Sequence, residues 1–204
     1  MDRELVLRFK GDRTYLHGTD ICNGMSERVR SGGAGGPLRD IDVAFHRLVS
    51  RQLAVVPIET LSSDARPAVT FGYWQDDRRH MVGLVETEQP VTGRYEYPEA
   101  AIVEPMELDV TAQRGVLRGS PGYSAIEIWV AMTKAIHMKV YDRSIRWLFV
   151  RGRFPEDVFV RSGTEWSVAI VANVNNRLTK SIVSVDGVMS GEIFFSPHVT
   201  HAGH

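Results

Sequence analysis

Trp166–Pro197 reads WSVAIVANVNNRLTKSIVSVDGVMSGEIFFSP. β-Branched residues alternate up to Asn175-Asn176, a pair that favours the type I′ turn of a two-residue hairpin. Alternation resumes over Thr179–Val185, breaks at Asp186-Gly187, a second such turn, and resumes over Val188–Ser196. The stretch therefore predicts three consecutive antiparallel strands. Pro67–Pro98, PAVTFGYWQDDRRHMVGLVETEQPVTGRYEYP, echoes it. Asp76-Asp77-Arg78 answers Asn175-Asn176-Arg177, and Val91-Thr92-Gly93 answers Met189-Ser190-Gly191. Both copies close on aromatic residues and proline, Tyr95/Tyr97/Pro98 against Phe194/Phe195/Pro197.

The echo extends outward in order. Upstream, Glu4–Lys10 alternates as a strand with Leu5, Leu7 and Phe9 on one face, and Arg13–Ile21 reads as a second strand ending in HGTDICN. Glu107-Leu108 and Arg114-x-x-Leu117-x-Gly119-Ser120 match Glu4-Leu5 and Arg13-x-x-Leu16-x-Gly18-Thr19. A helix is predicted over Asp40–Leu53, with Asp40 as N-cap and Ile41, Val43, Leu48 and Val49 on its apolar face. Its counterpart runs from about Ser124 to Tyr141, apolar over much of its circumference, as a helix wrapped by a sheet would be. Between Ile21 and Asp40 lies SGGAGGP, expected as a loop of low order because fixing glycine costs the most backbone entropy. Each half thus reads strand, strand, helix, strand, three-strand meander. The halves divide as 1–100 and 101–198, with 199–204 a tail.

Composition excludes several classes. The chain has 204 residues, 43% hydrophobic and 24% charged, with a net charge of −1. It is long enough to bury a core and carries no broad field to attract nucleic acid or anionic lipid. A single cysteine, Cys22, excludes an internal disulfide and suits a reducing compartment. No apolar run reaches transmembrane length and the charged N-terminal stretch lacks a signal-peptide core, so a cytoplasmic location is expected. No spacing of His, Cys, Asp and Glu matches a metal site; His198, His201 and His204 would chelate only by accident. SGGAGGP lacks the Lys-Ser/Thr ending of a phosphate loop.

A long apolar helix after one or two strands, followed by antiparallel strands, resembles the hotdog fold. Arg146–Ser196, above all VDGVMSGEIFF, looks like the strands after the helix in hydroxyacyl-carrier-protein dehydratases. Two copies in one chain resemble a tandem or double hotdog, an α+β fold with an antiparallel sheet wrapped around one helix in each half. The dehydratase pattern of a loop His and a helix Glu is absent from the second half. Gly119-Ser120-Pro121-Gly122 offers no His, and Val130 stands at the Glu position. The resemblance therefore implies acyl-thioester chemistry, with hydrolysis preferred over dehydration or hydration. The substrate would ride on coenzyme A or on the phosphopantetheine of an acyl carrier protein, with no other cofactor.

In hotdog thioesterases a loop or helix carboxylate acts as base or nucleophile, and an HG pair often precedes the helix. His17 and Asp20 in HGTD match that pattern, with Asp42 and Glu127 expected on the first turns of the two helices. Backbone N–H groups at a helix start would hold the thioester oxygen while a carboxylate or imidazole activates water. Asn23, Gly119, Ser120 and Tyr123 are candidates to line a substrate pocket. Structural readings stand beside these: HGTD as a strand-ending turn, Asp42 and Glu127 as acids placed by the helix dipole, Cys22 as a structural thiol. A non-catalytic acyl-binding module is the competing function. Open sheet edges would permit a homodimer.

Overall fold

The computed structural model describes residues 4–32 and 36–198. The tail 199–204, with His201 and His204, and the centre of the glycine-rich segment lie outside the described residues. The chain divides into two compact units, Met1–Pro98 with Gly152–Arg161 and Glu99–Arg151 with Ser162–His204.

In the first unit, β1 (Glu4–Leu5) and β2 (Phe9–Lys10) precede α1 (Gly18–Ser31). Then come β3 (Arg39–Phe45), β4 (Arg51–Pro57), a 3₁₀ turn (Ile58–Thr60), β5 (Val69–Gln75), β6 (Arg78–Pro90) and β7 (Arg94–Tyr95). Its antiparallel sheet runs β1-β4-β6-β5-β3, and β2 pairs with β7 in a separate parallel ribbon.

The helix of this unit lies about twenty residues earlier than the sequence predicts. HGTD begins α1 rather than ending a strand, and the glycine-rich segment follows the helix. Ile21, Cys22 and Met25 give α1 its buried face, and Asp20 and Arg28/Arg30 complement the dipole at its two ends. At Gly24, in mid-helix, an added Cβ would stand 2.9 Å from Leu5 Cδ1, so the Leu5 side chain would have to shift. The expected helix Asp40–Leu53 is instead β3 and β4. Ile41 and Val43 point inward with period two, whereas Leu48, required inside by the helical reading, is 41% exposed. Asp40 is no N-cap: it has φ +47 at an irregularity in the β3–β5 pairing.

The second unit contains α2 (Glu99–Val103), β8 (Glu107–Asp109), β9 (Arg114–Arg118) and α3 (Ala125–Val140). They are followed by β10 (Arg146–Glu156), a 3₁₀ turn (Val158–Val160), β11 (Glu165–Val174), β12 (Leu178–Val185) and β13 (Val188–His198). From Gly152 onward, β10 and the turn after it belong to the first unit. Sheet order in the second unit is β10-β13-β12-β11-β9-β8. The expected meander is present, with Asn175/Asn176 and Asp186/Gly187 at positive φ in its turns. α3 is buried on most sides, and its Trp129 packs edge-on to Trp166 at 5.9 Å while donating to Ser184 O.

The echo in Pro67–Pro98 is not a second meander. Asp76-Asp77 makes the β5–β6 hairpin, at φ 49 and 59, but the third strand expected there is the two-residue β7. The longer link from β4 lets β5 land beyond its neighbour, and β6 folds back between β5 and β4. The third and fourth strands after each long helix, β5/β6 and β12/β13, therefore stand in exchanged order in the two units.

Candidate functional site

His17 caps the N-terminus of α1 in extended conformation, and its carbonyl accepts from the N–H groups of Asp20 (3.0 Å) and Ile21 (3.2 Å). Gly18 and Thr19, as the first helical residues, have N–H groups with no intrahelical acceptor. Leu16 N–H donates to Val49 O at 2.7 Å, which fixes the chain entering the helix.

Around this turn the first unit gathers a buried polar network. Lys10, wholly buried, places Nζ 2.9 Å from Asp20 Oδ1 and 3.1 Å from Thr19 Oγ1. It also stands 4.0 Å from the centre of the Tyr97 ring. Tyr95 OH donates to Asp20 Oδ2 at 2.7 Å. His17 Nδ1 is 2.7 Å from Thr19 Oγ1, whose hydroxyl reaches Asp20 Oδ1 at 3.3 Å. A hydroxyl has one proton and two lone pairs. All three are used if Lys10 and His17 Nδ1–H donate to Thr19 and Thr19 donates to Asp20. That assignment leaves Nε2 as the basic nitrogen of a neutral His17.

The charges are arranged for mutual support. An ammonium buried alone would cost several kcal/mol, and Asp20, the threonine hydroxyl and the tyrosine face replace its lost water. Asp20 in turn has donors on both oxygens. Burial, and then the charge of Asp20, push the Cys22 thiol far above its ordinary range, so it is not a poised nucleophile.

The other predicted residues are not part of this cluster. Asp42 sits on β3, not on a helix, with Oδ2 3.7 Å from Arg153 Nε. Glu127 does lie in the first turn of α3, where its Oε2 accepts from Ser124 N–H (3.0 Å) and Ser124 Oγ (2.8 Å) in a capping box. Asn23 is on α1, partly buried. Gly119 has φ +105 and is pinned between Thr164 O and the Trp166 indole N–H. Ser120 is exposed and Tyr123 half-buried in the loop before α3.

Sequence reasoning missed Lys10, Thr19, Tyr95 and Tyr97. Alternation put Lys10 on the face opposite Leu5, Leu7 and Phe9, where solvent is the default environment. In the structure Lys10 pairs in parallel with Tyr95 and is wholly buried. Among the described residues no group of three His, Cys, Asp or Glu side chains is placed to hold a metal ion, and no helix is long and apolar enough to cross a membrane.

No family profile matches the chain, and no curated protein does. Solved structures do. A thioesterase II candidate from Thermobifida fusca YX is 11% identical with a TM-score of 0.50, over 92% of this chain and 88% of that one. The dehydratase domain of the polyketide PpsC from Mycobacterium tuberculosis is 12% identical with a TM-score of 0.51, over 97% and 88%. A protein of unknown function with hot dog fold from Alicyclobacillus acidocaldarius aligns at 12% identity and TM-score 0.42, over 91% and 88%.

Proposed function

From a hotdog fold as premise, we propose that this chain processes acyl thioesters of coenzyme A or an acyl carrier protein, by hydrolysis. The observation that carries the reading is the start of α1, where an imidazole, a threonine and a carboxylate are linked beside the first N–H groups of the helix, which have no acceptor within it. His17 Nε2 takes a proton from water as the oxygen attacks the thioester carbon. The carbonyl oxygen gains charge and accepts from the Gly18 and Thr19 N–H groups. When the carbon–sulfur bond breaks, His17 returns the proton to sulfur, leaving acid and free thiol. Asp20 and Thr19 hold the ring and its tautomer, as a carboxylate does in a hydrolase triad. Lys10 and Tyr95 hold Asp20.

We read the two units as tandem hotdog repeats. One long helix and an antiparallel sheet in each support this, while the exchanged strands count against a simple copy. Hydration or dehydration of a hydroxyacyl thioester would use the same His17 on a carbon-bound proton and is the alternative reaction. A non-catalytic acyl-binding module is favoured by a separate observation: Asp20, Asp42 and Glu127 are all engaged with neighbouring donors or cations.

Free-thiol release from a panel of acyl-CoAs by the pure protein tests the proposal. General-base removal in His17→Ala should lower kcat/KM by about 100-fold or more. Turnover unaffected by that change sinks the site. No turnover, with an acyl ligand retained in native mass spectrometry, selects the binding module.

A further inference from the structure

The buried face of β12, in the second unit, is apolar along only half its length. Thr179, Ser181, Val183 and Val185 point inward in turn, and the first two are wholly buried. α3 brings two more buried polar side chains, Thr133 and His137, four residues apart on one face of the helix.

The protons of this cluster can be assigned. His137 Nδ1 lies 2.7 Å from Thr133 O, and a carbonyl only accepts, so the ring proton sits on Nδ1. Nε2 then accepts from Thr179 Oγ1 at 2.8 Å. Thr133 Oγ1 donates to Trp129 O at 2.7 Å. Both threonine protons are thereby committed, while each hydroxyl oxygen keeps lone pairs that can accept. Ser181 differs: its Oγ is buried and, among the described residues, has no hydrogen-bond partner. A buried hydroxyl in that state has given up its bonds to water for nothing.

Two contacts set how α3 lies along β12. His137 meets Thr179 near one end, and Trp129 Nε1 donates to Ser184 O at 3.2 Å near the other. The helix from Trp129 to His137 rises about 12 Å and runs against the strand from Thr179 to Ser184, about 17 Å long. Thr133, midway along that helical stretch, therefore falls level with Ser181 and Ile182. Ser181 follows Thr179 by two residues on the same face, about 7 Å along the strand. That spacing is too wide for a direct bond and close to the roughly 5.6 Å that a single water spans between two partners.

We propose that Ser181, Thr179 and Thr133 form the binding site of one buried water. Ser181 Oγ–H donates to the water oxygen, and the water's two protons go to the open lone pairs of Thr179 and Thr133. About three bonds is the usual complement of a buried water. The water gives every hydroxyl of the cluster its partners and ties α3 to an interior strand of the sheet. Nothing in this site draws on the thioester reading.

A crystal structure of the full chain that resolves ordered water tests the site directly. Density is expected within hydrogen-bond distance of Ser181 Oγ and of at least one threonine hydroxyl. No density at Ser181, or density that touches neither threonine, overturns the site. Urea unfolding gives a second readout. Ser181→Ala removes a bonded hydroxyl and should lower the folded-to-unfolded ratio by about fivefold. Removing a hydroxyl with no partner would relieve the fold instead, so a ratio that stays or rises overturns the site. Thr133→Val keeps the side chain's shape, and combined with Ser181→Ala it should cost less than the two single losses added, because both lose the same water. Additive losses count against a shared water and overturn the bridge. Should neither variant fold, the crystal structure of the unaltered protein still decides.

Discussion

Lys10 and Asp20 make each other tolerable in the first unit's interior, at 2.9 Å with almost no solvent on either. Deleting one charge of such a pair strands the other. Asp20→Asn keeps the shape and should cost about 3–5 kcal/mol in urea unfolding. Lys10→Met combined with Asp20→Asn should cost clearly less than the sum of the two single changes. Additive losses would mean that the two charges do not support one another. The pairing also explains what sequence could and could not give here. HGTD was visible as a motif, but its partners come from residues 10, 95 and 97, and only tertiary pairing selects those.

The two long helices differ in how openly the sequence writes them. α3 has a capping box, Ser124 to Glu127, and apolar residues on most of its circumference, and its predicted span agrees with the observed Ala125–Val140 within two residues. α1 has only Ile21, Cys22, Met25 and Val29 as apolar residues, a glycine in the middle and no side-chain cap. Its stability comes from packing, including the approach of Gly24 to Leu5, which leaves a weak local signal. Ile41, Leu48 and Val49 favour the helical reading because residues seven and eight apart share one helix face. Capping also decides what Glu127 does. Glu127→Ala should lower stability by about 1 kcal/mol and leave kcat/KM for thioesters within twofold. A drop of tenfold or more in a folded variant would return Glu127 to the chemistry.

Across the whole chain, the element types of the second unit were legible and the strand order of the first was not. Tight turns with two positive-φ residues dictate neighbours, and β11, β12 and β13 are joined by nothing else. The stretch from β4 to β5 dictates no neighbour, so the place of β5 is set by burial that no local pattern records. Global stability should carry a mark of the second unit's core. His137, in the last turn of α3, is buried, with Nδ1–H donating to Thr133 O at 2.7 Å and Nε2 accepting from Thr179 at 2.8 Å. Burial lowers its pKa from 6.5 to about 4, the bond to Thr133 opposing in part. Because the folded value is depressed, the unfolded chain takes up the proton first. Stability should be full above pH 6.5 and fall towards pH 4 by about 3 kcal/mol, through linkage. Urea unfolding across that range checks it, and His137→Gln should flatten the slope; an unchanged slope assigns the loss to other groups.

Asp186-Gly187, the last tight turn, bears on how the protein ages. Aspartyl-glycyl bonds isomerise when the glycine nitrogen attacks the side-chain carbonyl to close a succinimide. Here Asp186 Oδ1 is held by Thr164 N–H, Thr164 Oγ1 and Glu165 N–H at 2.8–3.1 Å, so the carboxylate cannot swing onto its own backbone. Stored folded, the chain should accumulate little isoaspartate at this bond. Stored in urea, it should accumulate it readily, and peptide mapping of the two samples would show the folded sheet acting as a preservative.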